Sequence, residues 1–400
     1  MALAYPNRYY TAMSNLGFQT VYQLFHDQPQ TLCERAFWPD SEDLAEYRRT
    51  GTPLLTLESQ QPLRTFDILA FSISYENDYP HLLQMMELAG IPLGSQERKE
   101  RDPLVMAGGA TVLMNPEPLA EFVDFFVIGE AEVIAAPLVR ALREGKIRGK
   151  AKEELLDELA TLEGVYVPAF YTCTYRPEGT VESRIPTKNA PARVKRVWLK
   201  NLNDFLTASS LLTPHTELSD IYLLELSRGC RRGCRFCASC YTYFPHRVRD
   251  GSLLEKKALS DSGPGAKVGL VGAEISDYPG LLPLGRGVLR SLRTLSFSSL
   301  RVDSLTPELA DLVCDSGQKT VTLAPEAGSE RMRRIIGKGF TEKEIIRAAE
   351  ILTDRGVRSF RLYFMIGLPG ESAEDIDAIV ELTKKIRHHI LETSRGKKET

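Results

Sequence analysis

The cysteines of this chain are concentrated in one short stretch. Four of the seven cysteines in 400 residues fall between Cys230 and Cys240. Three of them, Cys230, Cys234 and Cys237, form a C-x3-C-x2-C spacing directly after an apolar run at 221–226. A thiolate holds a metal or a cluster only when several thiolates converge on one centre, so this density indicates ligation. Three thiolates are one fewer than the four that usually hold a cubane cluster, which leaves one iron open to a substrate or cofactor.

Two other interpretations of the same stretch stay open at this point. A structural zinc site could use Cys240 as its fourth ligand, although such sites usually join two close pairs across a longer loop. A bacterial ferredoxin has similarly crowded cysteines, but in a different order and with a following proline. Either would make the chain a non-catalytic iron-sulfur or zinc-binding interaction module. We interpret Cys240 as a spare thiol, and Cys33, Cys173 and Cys314 as small buried residues.

The bulk composition is that of an ordinary globular protein, with 43% hydrophobic and 26% charged residues. The formal net charge of −3 gives no electrostatic reason to expect nucleic acid or an anionic membrane as a partner. We find no signal peptide and no run of the ~20 apolar residues that a membrane span needs. An odd number of clustered cysteines fits a reducing compartment, so we expect a cytoplasmic protein.

A basic run surrounds the cysteines, at Arg228, Arg231, Arg232 and Arg235. Arg228 and Arg235 could offset the negative charge of a thiolate-ligated cluster, or they could be solvated residues at the rim of the site. For Arg231 and Arg232 we favour the solvated interpretation.

The elements that must position the cysteines form two α/β series. In residues 1–160 short apolar runs alternate with helical periodicity, which predicts a doubly wound parallel sheet of the Rossmann type. Its strands are predicted at 2–5, 31–34, 68–71, 104–107 and 125–128. Small residues follow several of these strands, where such sheets place ligands: Ser72, Gly108, Gly109 and Gly129. Tight strand-to-helix turns explain the same glycines equally well.

Residues 161–220 are rich in charge, proline and threonine, and we interpret them as a β-rich linker. Residues 221–400 form the second series, for which the predicted strands are 221–227, 267–272, 295–301, 319–324 and 359–366. The predicted helices lie near 305–315, 328–336, 341–355 and 372–391. Connections of this length require parallel pairing, hence a partial TIM barrel with its active site at the carboxyl-terminal rim. A sixth strand is expected beyond Thr400, so the barrel should lack its last strand.

The second series resembles the radical S-adenosylmethionine (SAM) superfamily, whose signature is three cysteines at this spacing with an aromatic residue before the third, here Phe236. Gly272-Ala273-Glu274 resembles the family's Gly-Gly-Glu element, which holds the methionine amino group; Ala273 replaces the middle glycine. The resemblance assigns contacts with the ribose and methionine portions and with adenine to four more residues: Ser299, Arg301, Glu326 and Ile366.

This resemblance implies a [4Fe-4S] cluster on Cys230, Cys234 and Cys237, with SAM chelated to the open iron. One electron from the reduced cluster would cleave the sulfonium and release a 5′-deoxyadenosyl radical, which abstracts hydrogen from a substrate. It also implies an electron donor such as flavodoxin or ferredoxin. No motif specifies the substrate.

The first series resembles the cobalamin-binding domain of one large class of that superfamily, in particular a B12-binding-like subgroup that carries no known substrate. The resemblance is carried by Ala4-Tyr5-Pro6-Asn7-Arg8-Tyr9-Tyr10, Val127-Ile128-Gly129-Glu130-Ala131-Glu132 and Leu212-Thr213-Pro214-His215-Thr216-Glu217. The family's Asp-x-His-x-x-Gly motif is missing, and we interpret His26 and His81 as surface or packing residues. Cobalamin bound without a protein ligand to cobalt, and a domain that only shapes the substrate pocket, both stay open. A methylthiotransferase is disfavoured because the first 150 residues hold no second set of three cysteines.

Overall fold

The computed structural model describes residues 1–298 and 300–396. The chain divides into two compact units. The first contains Met1–Lys200 and Ser210–Ser219, and the second contains Asn201–Ser209 and the chain from Asp220 onward. Residues 201–209 thus belong with the second unit, although they precede its first strand in the sequence. The three-part division at residues 160 and 220 stays a prediction.

The first unit contains eight strands and seven helices among the described residues. The strands are β1 (Ala2–Tyr5), β2 (Glu34–Phe37), β3 (Ile68–Ser72), β4 (Leu104–Gly108), β5 (Phe125–Val127), β6 (Val165–Tyr166), β7 (Tyr171–Tyr175) and β8 (Val181–Pro186). The helices are α1 (Tyr9–Ala12), α2 (Leu16–His26), α3 (Ser41–Thr50), α4 (Tyr79–Leu88), α5 (Ala110–Met114), α6 (Ala131–Ile147) and α7 (Lys152–Ala160).

The main sheet of this unit has the strand order β2-β1-β3-β4-β5-β6. The first five strands are parallel, and β6 is antiparallel to β5. Successive residues of β1 point to opposite cores, since Leu3 and Tyr5 lie in one hydrophobic cluster and Ala2 and Ala4 in the other. Both faces are therefore covered, as expected for a doubly wound sheet, and the strand reversal falls between β1 and β3. The predicted α/β class is confirmed.

One strand of this sheet lies elsewhere than predicted. The strand expected at 31–34 occupies Glu34–Phe37 instead. Glu34 is buried inside the sheet, where its carboxylate accepts hydrogen bonds of 2.6 Å from the hydroxyls of Thr56 and Ser59. These hydroxyl groups, which are distant in the sequence, allow the Glu34 carboxylate to be buried. The prediction relied on an apolar pattern, and an acidic residue at a buried position breaks that pattern. In the expected linker, β7 and β8 form an antiparallel hairpin.

The second unit contains seven strands and seven helices among the described residues. The strands are β9 (Ile221–Glu225), β10 (Ser227–Arg228), β11 (Arg247–Val248), β12 (Lys267–Val271), β13 (Thr294–Ser296), β14 (Thr320–Glu326) and β15 (Ser359–Phe364). The helices are α8 (Ser239–Thr242), α9 (Gly251–Asp261), α10 (Leu281–Arg290), α11 (Pro307–Asp315), α12 (Glu330–Ile335), α13 (Glu342–Asp354) and α14 (Ala373–Gly396).

Five parallel strands of this unit follow one another in sequence order. Strands β9, β12 and β13 form one parallel sheet, and β14 pairs in parallel with β15. A parallel bridge between Leu300 and Leu323 joins the two sets. Neighbouring strands in chain order, with helices between them, are the arrangement of an α/β barrel wall. Their carboxyl ends share one edge, and the predicted site residues stand there.

The helices of this unit begin at recognisable capping residues. Thr341 and Glu344 form a reciprocal capping box at the start of α13, and the Asp250 carboxylate accepts from two backbone N–H groups at the start of α9. No helix in the described part of the chain is long and apolar enough to cross a membrane.

Candidate functional site

The cysteine loop leaves β10 through a glycine that no other residue can replace without distortion. Gly229 has φ of 80°, and a Cβ there would lie 2.5 Å from the Tyr243 carbonyl oxygen. Gly233 also has positive φ, at 67°, but a Cβ there would meet no atom within 4 Å. The loop therefore turns at two left-handed positions, and only at the first of them, Gly229, is there also no space for a side chain.

The three predicted cluster ligands differ in exposure within this loop. Cys234 is 8% exposed, whereas Cys230 and Cys237 are partly exposed. Burial raises the pKa of the Cys234 thiol, the positive charges of Lys338 and Arg301 lower it, and Cys230 and Cys237 raise it further. Lys338 and Arg301 thus act electrostatically on the buried Cys234 thiol, together with the two other cysteines of the loop.

The side chains are not arranged as a finished metal site. Across residues 1–298 and 300–396, no group of three or more His, Cys, Asp or Glu side chains converges closely enough to hold a metal ion. Cys230 Sγ instead accepts a 3.4 Å hydrogen bond from the Arg232 backbone N–H. The donor set, three thiols on one glycine-hinged loop, nevertheless fits a thiolate-ligated cluster. The assignment of Cys230, Cys234 and Cys237 as ligands stays a prediction.

Cys240 has a local partner of its own. Its thiol donates a 3.4 Å hydrogen bond to the carbonyl oxygen of Cys237. It follows the loop on the short helix α8, which agrees with its interpretation as a spare thiol.

The Gly272-Ala273-Glu274 element follows β12 directly, as predicted. A Cβ on Gly272 would lie 2.9 Å from Ser227 Oγ. That hydroxyl is buried and has no hydrogen-bond partner in the described part of the chain. A buried polar atom without a partner costs free energy unless something bound supplies one, so Ser227 is an unsatisfied hydroxyl packed against Gly272 at the strand ends.

Glu274 is a buried carboxylate that its neighbours only partly satisfy. Its Oε1 accepts hydrogen bonds from Ser276 Oγ at 2.5 Å and from the Ser276 N–H at 3.2 Å. Arg301 Nε lies 4.0 Å from Oε2. Burial raises the pKa of Glu274 above its usual value, and the Ser276 hydrogen bonds and Arg301 offset only part of that rise. Such a carboxylate favours an additional cationic partner.

Arg301 and Ser299 follow β13. Arg301 pairs with Asp303 through two hydrogen bonds of 2.8 and 2.9 Å, and its guanidinium lies 5.6 Å from the Phe340 ring centre. Its backbone N–H donates to Ser276 Oγ at 3.1 Å, which links the ends of β12 and β13. Ser299 lies outside the described residues.

Glu326 ends β14 in a conformation that is uncommon for its type. Its φ is 67°, and the pairing of β14 with β15 shifts register between Leu323 and Glu326. The carboxylate Oε1 lies 2.8 Å from Lys338 Nζ, and these side chains are 16% and 9% exposed. Left-handed backbone at a non-glycine residue is strained, and such strain concentrates at functional sites.

Lys338 joins this strand end to the cysteine loop. Its Nζ lies 6.0 Å from the ring centre of Phe236 and 5.8 Å from that of Phe340. The backbone of the cysteine loop also docks here, since the Arg235 N–H donates to the Ile336 carbonyl at 2.9 Å. The predicted residues Phe236 and Glu326 are therefore brought together through a lysine that the sequence analysis did not single out. Ile366, assigned to the adenine, is 73% exposed just after β15.

The arginines of the cysteine loop have defined partners. Arg231 and Arg232 are exposed, as predicted, but the Arg232 guanidinium also donates to Asp277, Asp303 and Ser304. Arg231 Nε donates to His246 Nδ1 at 3.0 Å. These contacts join residues far apart in the sequence, so no local pattern announces them.

The Arg228 guanidinium has a carboxylate partner of its own. Arg228 and the fully buried Arg249 both pair with Glu225, at the end of β9. Burial opposes ionisation of Glu225, but the two guanidinium groups outweigh it and hold its pKa below the usual value. Arg249 also donates to the carbonyl oxygens of Leu202 and Phe205 and, at 2.8 Å, to Thr207 Oγ1.

The glycines predicted to line a crevice in the first unit are accounted for by chain packing. A Cβ on Gly109 would lie 2.3 Å from the Ile73 carbonyl oxygen, and one on Gly129 would lie 2.2 Å from that of Val197. Ser72 and Gly108 are paired across β3 and β4 at the carboxyl edge of the sheet. The four residues thus share that edge, but close backbone packing already explains the two glycines. Their role towards a cofactor stays a prediction.

The two histidines of this unit make ring contacts, in agreement with their interpretation as packing residues. His81 stacks on Trp38 with ring centres 4.7 Å apart and makes a 3.1 Å hydrogen bond to the Pro6 carbonyl. His26 stacks on Tyr22.

A cavity of about 710 Å³ lies at the opposite, amino-terminal edge of the same sheet. Three lysines on its wall are each in an ion pair with an acid, namely Lys146 with Asp67, Lys150 with Glu158 and Lys152 with Asp124. These ion pairs compensate three of the seven basic side chains that line the cavity.

The fold and the site define an α/β protein that presents a three-cysteine loop at the carboxyl ends of parallel strands, preceded by a doubly wound unit. Residues 224–383 match the radical SAM superfamily, and residues 17–168 match a family described as radical SAM proteins, N-terminal. The chain belongs to the radical SAM superfamily.

Two curated relatives share sequence with this chain. An uncharacterised protein of Methanocaldococcus jannaschii is 29% identical over 397 residues, which are 98% of this chain and 74% of the relative. An uncharacterised methyltransferase of Pyrococcus horikoshii is 26% identical over 296 residues, which are 70% of this chain and 58% of the relative. The chain therefore spans only part of the length of these proteins.

Two solved structures share the fold. The radical SAM methyltransferase TsrM from Kitasatospora setae, with cobalamin and a [4Fe-4S] cluster bound, has a TM-score of 0.59 and 14% identity, covering 96% of this chain and 73% of TsrM. The cobalamin-dependent SAM radical enzyme OxsB, with aqua-cobalamin and SAM bound, has a TM-score of 0.56 and 14% identity, covering 95% of this chain and 51% of OxsB. At this level of identity the similarity establishes the fold alone.

Proposed function

We propose that this chain is the core of a radical SAM enzyme that holds a [4Fe-4S] cluster on Cys230, Cys234 and Cys237 and binds SAM beside it. When bound and reduced, the cluster would supply the electron that cleaves SAM to a 5′-deoxyadenosyl radical. The observation that carries the proposal is the placement of the cysteine loop beside Lys338, whose Nζ lies 6.0 Å from the Phe236 ring centre and 2.8 Å from Glu326 Oε1 at the end of β14.

The residues of the chain have separable tasks in this proposal. Glu274 offers a buried and incompletely paired carboxylate to the SAM ammonium group. Ser227 Oγ, packed against Gly272, is a buried hydroxyl without a partner among the described residues, and the proposal assigns it to a polar atom of the bound cofactor. Lys338 and Arg301 compensate the negative charge that three thiolates bring into a partly buried site. A flavodoxin or ferredoxin is the proposed electron donor.

The finer proposal is cobalamin-dependent methyl transfer. It is supported by the strand order β2-β1-β3-β4-β5, whose reversal point is where such sheets bind cofactors, and by the likeness to TsrM and OxsB. A methylthiotransferase needs additional cluster cysteines, and Cys33 is the only cysteine in the first 150 residues. The alternative is a first unit that only shapes the substrate pocket, which the packing roles of Gly109 and Gly129 favour.

Anaerobic reconstitution with iron and sulfide tests the main proposal. The protein should take up about four irons, show thiolate-to-iron absorbance and, with SAM and dithionite, release 5′-deoxyadenosine measured by chromatography. Replacing Cys230, Cys234 and Cys237 by Ala should abolish all three signals. Cys240→Ala is the matched control and should retain them. Equal loss of the cluster in Cys240→Ala would favour a four-cysteine structural site. An iron-loaded protein that does not cleave SAM would contradict the enzyme proposal.

A separate titration tests cobalamin. Methylcobalamin mixed with the protein should change its visible spectrum saturably and remain bound through gel filtration. No spectral change with the cluster in place would leave the first unit as a pocket-shaping domain.

A further inference from the structure

Arg232 lies inside the cysteine loop, between Cys230 and Cys234, but its side chain reaches two other loops. Its Nε donates to Asp277 Oδ2 at 2.7 Å, and its Nη2 donates to Asp277 Oδ1 at 2.5 Å. Both carboxylate oxygens are thus engaged by the planar guanidinium, and such a bidentate pair fixes the relative orientation of the two side chains.

The same guanidinium also reaches the loop after β13. Its Nη1 donates to Asp303 Oδ2 at 3.2 Å and its Nη2 to Ser304 Oγ at 3.2 Å. Ser304 Oγ donates in turn to Asp277 Oδ1 at 2.8 Å, so the two loops are also joined directly. Arg232 is only about one-third exposed, which limits the competition from water.

These acceptors adjoin the residues that we propose to bind SAM. Asp277 ends the turn that the Glu274 side chain caps. Asp303 holds the Arg301 guanidinium in place through two hydrogen bonds. Ser276 completes the connection, because its hydroxyl donates to Glu274 and accepts from the Arg301 backbone. A displacement of Arg232 would therefore move the carboxylate and the guanidinium that face the cofactor.

We infer that Arg232 is a positioning residue that couples the cluster loop to SAM binding by fixing the Asp277 and Asp303 loops relative to Cys230 and Cys234. The inference rests on the proposed function. The coupling depends on the hydrogen bonds of the Arg232 side chain and not on the positive charge of the loop in general. Neighbouring Arg231 carries the same charge but contacts His246 instead, so it serves as the comparison.

The experiment compares Arg232→Gln and Arg232→Lys with Arg231→Gln, each reconstituted anaerobically. Three quantities are measured: iron content, the electron paramagnetic resonance spectrum of the reduced cluster with and without SAM, and the SAM dissociation constant from equilibrium dialysis. Arg232→Gln should keep most of its iron, weaken SAM binding about tenfold or more, and reduce the change that SAM causes in the spectrum. Arg232→Lys should show an intermediate SAM affinity, because lysine keeps the positive charge but cannot make the bidentate hydrogen bonds of the guanidinium. Arg231→Gln should match the wild type.

Asp277→Asn provides the second arm, and it decides the question if Arg232→Gln does not fold. It should reproduce the loss of SAM affinity, and the double variant with Arg232→Gln should be no worse than either single variant. If Arg232→Gln, or Asp277→Asn in its place, behaves like Arg231→Gln, the inference is wrong but the proposed function is not affected. A wild-type cluster whose spectrum does not respond to SAM would instead overturn the proposed function, and the inference with it.

Discussion

Lys338 Nζ lies 2.8 Å from Glu326 Oε1, and both side chains are largely buried at the end of β14. The pair sits beside the cysteine loop, since the same ammonium group lies near the Phe236 ring and affects the Cys234 thiol. It is the contact through which a strained strand end and the proposed cluster loop meet.

Lys338→Met should lower the free energy of unfolding by about 3 kcal/mol, because it leaves the Glu326 carboxylate buried without its partner. Adding Glu326→Gln should restore part of that loss, since the uncompensated charge is then gone. Urea unfolding of both variants measures the effect. A loss below about 0.5 kcal/mol would place the pair among surface ion pairs.

Gly229→Ala should destabilise the protein by about 2 to 4 kcal/mol and prevent iron uptake, because its Cβ would collide with the Tyr243 carbonyl at a left-handed position. Gly233→Ala is the matched control on the same loop. It suffers only the left-handed backbone cost of about 1 kcal/mol and should still take up iron. Iron analysis after reconstitution and thermal unfolding distinguish the two variants. Similar behaviour of both would contradict the steric argument.

Glu274→Gln should stabilise the protein at neutral pH while weakening SAM binding about tenfold or more. Burial raises the pKa of Glu274 above 4.5, so the folded state binds the proton more tightly than the unfolded state. Wild-type stability is therefore favoured below pH 4.5 and is lost as the pH rises through the folded pKa, whereas the amide has no such dependence. Melting temperatures from pH 4 to 8 measure this difference. Equal profiles for the two proteins would show that the carboxylate is satisfied without a ligand.

Glu225 should show the opposite dependence. Its pKa is held below 4.5 by Arg228 and Arg249 against the effect of burial, so its contribution to stability is fully present above pH 4.5 and disappears as the pH falls through the folded pKa. Glu225→Gln should cost about 3 kcal/mol at pH 7 and proportionally less in acid. Urea midpoints at pH 7, 4 and 3 check both statements. A pH-independent difference between the proteins would assign the loss to packing.

The sequence predicted the elements that are locally encoded and failed where distant contacts decide. Strands β1, β3 and β4 and four of the five barrel-type strands were found because their apolar runs are short and bounded by turn residues, whereas the strand predicted at 295–301 occupies only Thr294–Ser296. Helices α9 and α10 were not predicted; α9 was missed despite its local Asp250 cap, and Gly285 and Gly287 interrupt the pattern of α10. Both glycines are required by packing, since a Cβ there would lie 2.6 Å from the Leu312 side chain and 2.1 Å from that of Glu255.

The site divides in the same way. The cysteines, Glu274, Arg301 and Glu326 were identified by the resemblance of their motifs, and the family assignment is confirmed. The partners that hold them were not identified. Arg232 meets Asp277 and Asp303 across 45 and 71 residues, and no single-sequence pattern reports such a contact. Pairs of this kind are visible only after the strand ends have been brought to one edge.

The buried Arg249 determines where this chain can be divided. Three of its acceptors, the carbonyls of Leu202 and Phe205 and the hydroxyl of Thr207, precede the first barrel-type strand by fourteen or more positions in the sequence. A natural or recombinant domain exchange could join a new first unit at Ile221. The Arg249 guanidinium would then be buried without those three acceptors. The segment 201–209 should therefore stay with the second unit whenever this architecture is reshuffled, while Ser210–Ser219 stays with the first.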